Sequence, residues 1–180
     1  MDKIEYAIYF ATKAHTGQKR KQEDIDMIFH PFTVGMTLQR NGCDEDIVAA
    51  GILHDVVEDT QYTFEDIEKI FGKEIRNYVY DASEPDKSLP WKERKEHTIE
   101  WIKKASLGSK LIVACDKISN LEDALRNIKK YGQDNVLARN PEEQKWYYVS
   151  VYKSCIENSD KNHPIFRRYE NVLKEIWKNI

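Results

Sequence analysis

The chain has 180 residues, 41% hydrophobic and 33% charged, with only seven glycines and five prolines. That balance suits one helix-rich globular domain spanning 1–180 with a sizeable core, and it excludes a disordered or fibrous chain. The formal net charge of −3 supplies no global basic field of the kind that nucleic-acid binders carry.

The first segment places Ile4, Ala7, Ile8, Ala11 and Ala14 at three-four spacing, which gives an amphipathic helix. The polar stretch TGQKRKQEDID interrupts it, and a second helix is expected to start at His30-Pro31, since proline fits a first helical turn. A third opens near Asp44 and is expected to run unbroken through GILHDVVED. Thr63 and Asp66 are spaced as a capping box, and Gly72 is a plausible stop. SEPDKSLP (83–90) reads as a loop. Helices are then expected over 91–104 and 109–130, from Asn140-Pro141 onward, and from His163-Pro164 onward. Strand-like alternation is absent, so the expected fold is an all-α, single-domain helical bundle.

Cys43, Cys115 and Cys155 form no CxxC pair, which points to free thiols in a reducing cytoplasm. The N-terminal stretch lacks the pattern of a signal peptide. No apolar run approaches the ~18 residues of a membrane span. The expectation is a cytoplasmic protein without a membrane or nucleic-acid partner; its oligomeric state is open.

Three helical segments carry ionisable groups in apolar company: His30 in MIFHPF, His54-Asp55 in GILHDVVEDT, and Asp116 in KLIVACDKISNL. Alone, His30 reads as a helix-capping or satisfied core histidine and Asp116 as a buried structural aspartate. A His-Asp dipeptide is common on helix surfaces, but the AAGIL and VV flanks of His54-Asp55 argue for partial burial, and buried carboxylates need partners. Together the three segments offer two imidazoles and two carboxylates, a set suited to a borderline divalent ion such as Mn²⁺, Fe²⁺ or Zn²⁺. An ion held this way would lower the pKa of a bound water, which is hydrolase chemistry.

These segments have a wider context. The chain reads AHTGQKRK (14–21), FHP (29–31), ILHDVVEDT (52–60), WKERK (91–95) and CDKISNL (115–121), in that order. The series resembles the HD superfamily of metal-dependent phosphohydrolases, and more closely the hydrolase domain of the RelA/SpoT family and its free-standing small alarmone hydrolases. The resemblance implies a Mn²⁺ site formed by His30, His54, Asp55 and Asp116, with Glu58 and Asp59 as the catalytic acidic pair. It implies that Arg20, Lys21 and Asn120 face the nucleotide, with Arg94 and Lys95 as further candidates for phosphate. The activity implied is removal of pyrophosphate from the 3′ position of (p)ppGpp, without the synthetase domain of the large bifunctional relatives. Alternatives are another nucleotide substrate, such as NADPH or a nucleoside monophosphate, and a nucleotide-binding module without turnover. The chain departs from its relatives at Asp26-Met27, where they often carry Pro-Tyr, at Ser119 in place of histidine or tyrosine, and at Glu122 in place of arginine. Substrate differences are expected at DMIFHP.

Overall fold

The computed structural model describes residues 1–20, 24–84, 87–132 and 140–178. Helix α1 (Lys3–Ala14) starts where the Asp2 side chain takes the Glu5 amide and the Glu5 side chain takes the Asp2 amide, a reciprocal capping box. It buries Ala7, Phe10 and Ala11. Helix α2 (Phe29–Arg40) begins one residue before His30, with Pro31 inside the first turn, where its missing amide costs nothing.

The third predicted helix is broken. Helix α3 (Glu45–Leu53) stops at His54-Asp55, and a single turn, α4 (Val56–Asp59), follows. The His54 ring supplies the reason. Its Nδ1 lies 2.8 Å from the Gly51 carbonyl, the group that the Asp55 amide would take in a continued helix. The interruption turns the last carboxylates of the segment onto a separate short element.

Thr63 and Asp66 form the expected capping box of α5 (Phe64–Phe71). Gly72, at φ 91°, ends α5 and at once begins α6 (Lys73–Ala82), a helix that the sequence pattern did not announce. Helix α7 (Trp91–Lys104) matches its predicted span. Helix α8 (Leu107–Tyr131), capped by Ser106, begins two residues earlier than expected. Helices α9 (Pro141–Ile156) and α10 (Pro164–Ile176) each begin with the proline that follows their cap. Among the described residues the only β feature is an isolated bridge between Lys19 and Asp26, so the all-α reading holds. No helix of the described residues is long and apolar enough to cross a membrane.

Helix α8 lies at the centre, packed against α2, α3, α6, α9 and α10. In the core Leu38, Leu53, Ile67, Ile75, Ile102, Ile112, Ile118, Phe166 and Tyr169 are fully enclosed, each apolar burial of this kind being worth about 1.5–3 kcal/mol. Two glycines let α2 and α3 touch backbone to side chain. A Cβ on Gly35 would stand 2.4 Å from Ile52 Cγ1, and one on Gly51 would stand 2.4 Å from Leu38 Cδ1. This close crossing brings the start of α2, with His30, next to the end of α3, with His54.

The crossing yields a stability test. Gly35→Ala forces Ile52 to move, an overpacking cost of about 1–3 kcal/mol. The better helix propensity of alanine offsets at most about 1 kcal/mol. A clash of 2.4 Å with Ile52 Cγ1, not the tip of its side chain, puts the cost in the upper part of that range, about 2–3 kcal/mol. Chemical denaturation should therefore show a net loss of about 1–2 kcal/mol; an unchanged midpoint would mean that the two helices do not pack this closely.

Candidate active site

His30, His54, Asp55 and Asp116, which the sequence scatters over 86 positions (30 to 116), converge at one point. His30 Nε2 lies 3.2 Å from Asp116 Oδ1 and 3.5 Å from Asp55 Oδ2. His54 Nε2 lies 3.2 Å from Asp55 Oδ1 and 3.9 Å from Asp116 Oδ1. Both imidazoles are buried, and their rings meet edge to face at 5.1 Å.

Each ring is oriented from behind. The Gly51 carbonyl can only accept, so His54 Nδ1 carries the hydrogen and Nε2 presents its lone pair to the cluster. That Nε2 is buried and has no hydrogen-bond partner among the described residues. His30 Nδ1 lies 2.9 Å from Ser119 Oγ; with the hydroxyl accepting, His30 Nε2 faces the same point. Burial alone would disfavour a charged His54 ring, yet Asp55 and Asp116 outweigh it and hold its pKa above the ordinary value. Burial likewise opposes ionised Asp116, but Lys117 and the two histidines hold its carboxyl well below the usual carboxylate range. A cluster of lone pairs and anions that attracts a proton so strongly suits a cation. His30, His54 and Asp116 each offer a donor atom, all within 4.8 Å of one another, and can hold a metal ion, with Asp55 beside them.

Glu58 and Asp59 lie one turn further on, along the wall of a cavity of about 810 Å³ that also takes in the histidines. Burial and the neighbouring Asp55 charge push the Glu58 carboxyl up to about 7, against the pull of Lys87 and Lys117. Glu58 Oε1 accepts the Glu84 amide at 2.6 Å. Lys87 donates to the Glu58 carbonyl at 2.8 Å and to Asp59 Oδ1 at 3.0 Å. Glu84 and Lys87 therefore brace the acidic pair, while Pro85 and Asp86 of the expected loop lie outside the described residues.

The cationic side is also tied together. The Arg20 guanidinium donates to Asn120 Oδ1 at 3.2 Å and pairs with Asp123. The Asn120 amide donates in turn to Asp116 Oδ1 at 2.5 Å. Lys21 lies outside the described residues. Lys95 lines the cavity, pairs with Glu84, and sits 4.5 Å above the Tyr147 ring. Arg94 does not line it; its guanidinium pairs with Glu84 and donates to the Leu89 carbonyl. Of the departures from the family pattern, Met27 lines the cavity, while Asp26 is exposed and paired with Lys19 at 2.8 Å. Glu122 is engaged by the Arg168 guanidinium through two bonds of 2.9 and 2.8 Å.

Several residues of this site were not singled out from the sequence. Asp123 and Asn127 continue the stripe Asp116, Ser119, Asn120 at three-four spacing on α8, a polar line along a buried helix that periodicity alone exposes. Lys117, half-buried, donates to Asp116 Oδ2 at 2.6 Å. Glu84 and Lys87 come from a loop, and no local pattern marks them; Gln18 stands inside the AHTGQKRK stretch, which by itself gives it no role.

With this geometry in view, the chain can be set beside known proteins. A family model for the HD domain matches residues 7–140. Guanosine-3′,5′-bis(diphosphate) 3′-pyrophosphohydrolase MESH1 of Xenopus tropicalis is 41% identical over 123 residues, which cover 67% of this chain and 68% of that protein. The bifunctional (p)ppGpp synthase/hydrolase SpoT of Escherichia coli K12 is 35% identical over 102 residues, 57% of this chain but only 14% of SpoT. Among solved structures, one described as a metazoan ortholog of SpoT that hydrolyzes ppGpp matches with a TM-score of 0.82 at 29% identity, covering 98% of this chain and 97% of the other. The family model spans all four converging donors, and the chain belongs to the HD domain family, whose hydrolases work with a divalent metal ion.

Proposed function

We propose that this protein removes pyrophosphate from the 3′ position of guanosine 3′,5′-bis(diphosphate), or of its pentaphosphate counterpart, to leave GDP or GTP. The observation that carries the reading is the convergence of His30, His54, Asp55 and Asp116 around a buried His54 Nε2 that has no hydrogen-bond partner among the described residues. In this reading those four residues hold the ion, and Mn²⁺ fits the mixed nitrogen and oxygen set. Bound there, the ion supplies a water of lowered pKa and offsets phosphate charge.

The protein's own groups do the rest. Glu58, with a carboxyl near 7, can accept a proton from the attacking water and pass it on. Asp59 lies next to it on α4, held by Lys87, and keeps that water oriented. Arg20 and Lys21 supply charge to the phosphates. Arg20 exchanges Asp123 for a phosphate oxygen on binding, and Asn120 links that exchange to Asp116. Lys95 offers a further cation at the cavity wall, while Arg94 serves by holding Glu84. The relatives named for this activity support the substrate. A cytoplasmic compartment belongs to the same reading, supported by three free cysteines.

The reading is tested by incubating Mn²⁺-loaded protein with ppGpp, pppGpp, NADPH and nucleoside monophosphates in parallel. Pyrophosphate and GDP should appear from ppGpp, with Glu58→Gln slower by about 10²–10⁴-fold. Turnover of NADPH or a monophosphate with ppGpp left intact would refute the substrate. A separate measurement addresses the ion. Ser119→Ala removes the group that orients His30, and Mn²⁺ affinity by calorimetry should fall about 10–100-fold. An unchanged affinity would remove Ser119 from the site's support.

A further inference from the structure

Short helix α4 is held at its end by a side chain from 41 residues earlier in the chain. The Gln18 amide nitrogen donates to the Asp59 carbonyl at 2.7 Å. Its Oε1 lies 2.8 Å from His15 Nδ1. The amide nitrogen must face Asp59, so the oxygen faces His15 and accepts, which places the ring hydrogen on Nδ1. His15 is 2% exposed, and its Nε2 is buried without a partner among the described residues, so no competing bond there turns the imidazole away from Gln18. The backbone of Gln18 is engaged as well. Its carbonyl takes the Met27 amide at 2.9 Å and closes the segment that bears Arg20.

Gln18 therefore joins three parts of the site: buried His15 past the end of α1, the basic segment, and the acidic end of α4. A helical turn of four residues cannot satisfy its own last carbonyls. Here the Asp59 carbonyl goes to Gln18 and the Glu58 carbonyl goes to Lys87, so α4 is gripped from two sides. We propose that Gln18, oriented by His15, is a positioning residue that keeps Glu58 and Asp59 aimed at the histidine-aspartate cluster. This rests on the role given above to that acidic pair. Misplacement by about 1 Å near reacting atoms can cost on the order of 10²-fold in rate.

The test uses the full chain loaded with Mn²⁺ and compares Gln18→Met, His15→Leu, the double variant, His15→Asn and Asp59→Asn. Gln18→Met and His15→Leu should each lower kcat about 10- to 100-fold, with KM and Mn²⁺ affinity moved less than about threefold. The double variant should be no worse than Gln18→Met, because both changes break one relay. His15→Asn keeps a nitrogen donor near the place of Nδ1 and should stay within about threefold of the parent. A parent-like kcat in Gln18→Met, a loss confined to KM, or additive losses in the double variant would each overturn the proposal. So would a His15→Asn protein as slow as His15→Leu, since that marks packing and not the hydrogen bond. Asp59→Asn separates the two levels. Full turnover there defeats the role of the acidic pair, whereas a slow Asp59→Asn beside a parent-like Gln18→Met defeats only the positioning role.

Discussion

The lone pairs of His30 Nε2 and His54 Nε2 point into the same small space as the carboxylates of Asp55 and Asp116. Groups of that kind, buried and aimed at one another, repel until a cation lies among them. Much of the architecture reads as a means of holding this arrangement. Gly35 and Gly51 let α2 and α3 approach closely enough to bring the two imidazoles side by side. Helix α8 carries Asp116 from the middle of the core and Ser119 one turn later, behind His30. The bond from His54 to the Gly51 carbonyl does two things at once, setting the tautomer and ending α3.

That last bond also marks the limit of what local pattern shows. Helical periodicity was enough to find α1, α7, α8, α9 and α10, and the all-α class, because apolar stripes and caps are local features. It was not enough to see that GILHDVVED breaks in two. The break depends on a ring nitrogen competing for a backbone carbonyl, while both flanking residues keep helical dihedrals. Helix α6 escaped notice because Gly72 reads as a stop and serves as a joint.

The converging donors were legible for a different reason. Histidine and aspartate in apolar segments are costly to bury, so their presence in three such segments asks for a shared partner. What surrounds them was less legible. Glu84 and Lys87 reach Glu58 and Asp59 from a loop, and Arg20 meets Asp123 across a hundred residues of chain. Such pairings have no sequence period. Asp123 could have been found, since it lies one turn past Asn120 on the polar stripe of a buried helix.

The divergent DMIFHP stretch also changes meaning in three dimensions. Asp26 is neutralised by Lys19 at the exposed edge, leaving Met27 as the residue of the pair that lines the cavity. Ser119 and Glu122 act through His30 and Arg168. None of these four residues is one of the converging donors.

The central claim is that two histidines and two aspartates form a metal centre beside the acidic pair. Anomalous X-ray scattering from crystals grown with Mn²⁺, collected across the manganese edge, tests it most directly. A metal centre at this point gives one strong buried peak within coordination distance of His30 Nε2, His54 Nε2, Asp55 and Asp116. A peak elsewhere on the molecule, or none in a Mn²⁺-containing crystal of active protein, would contradict it.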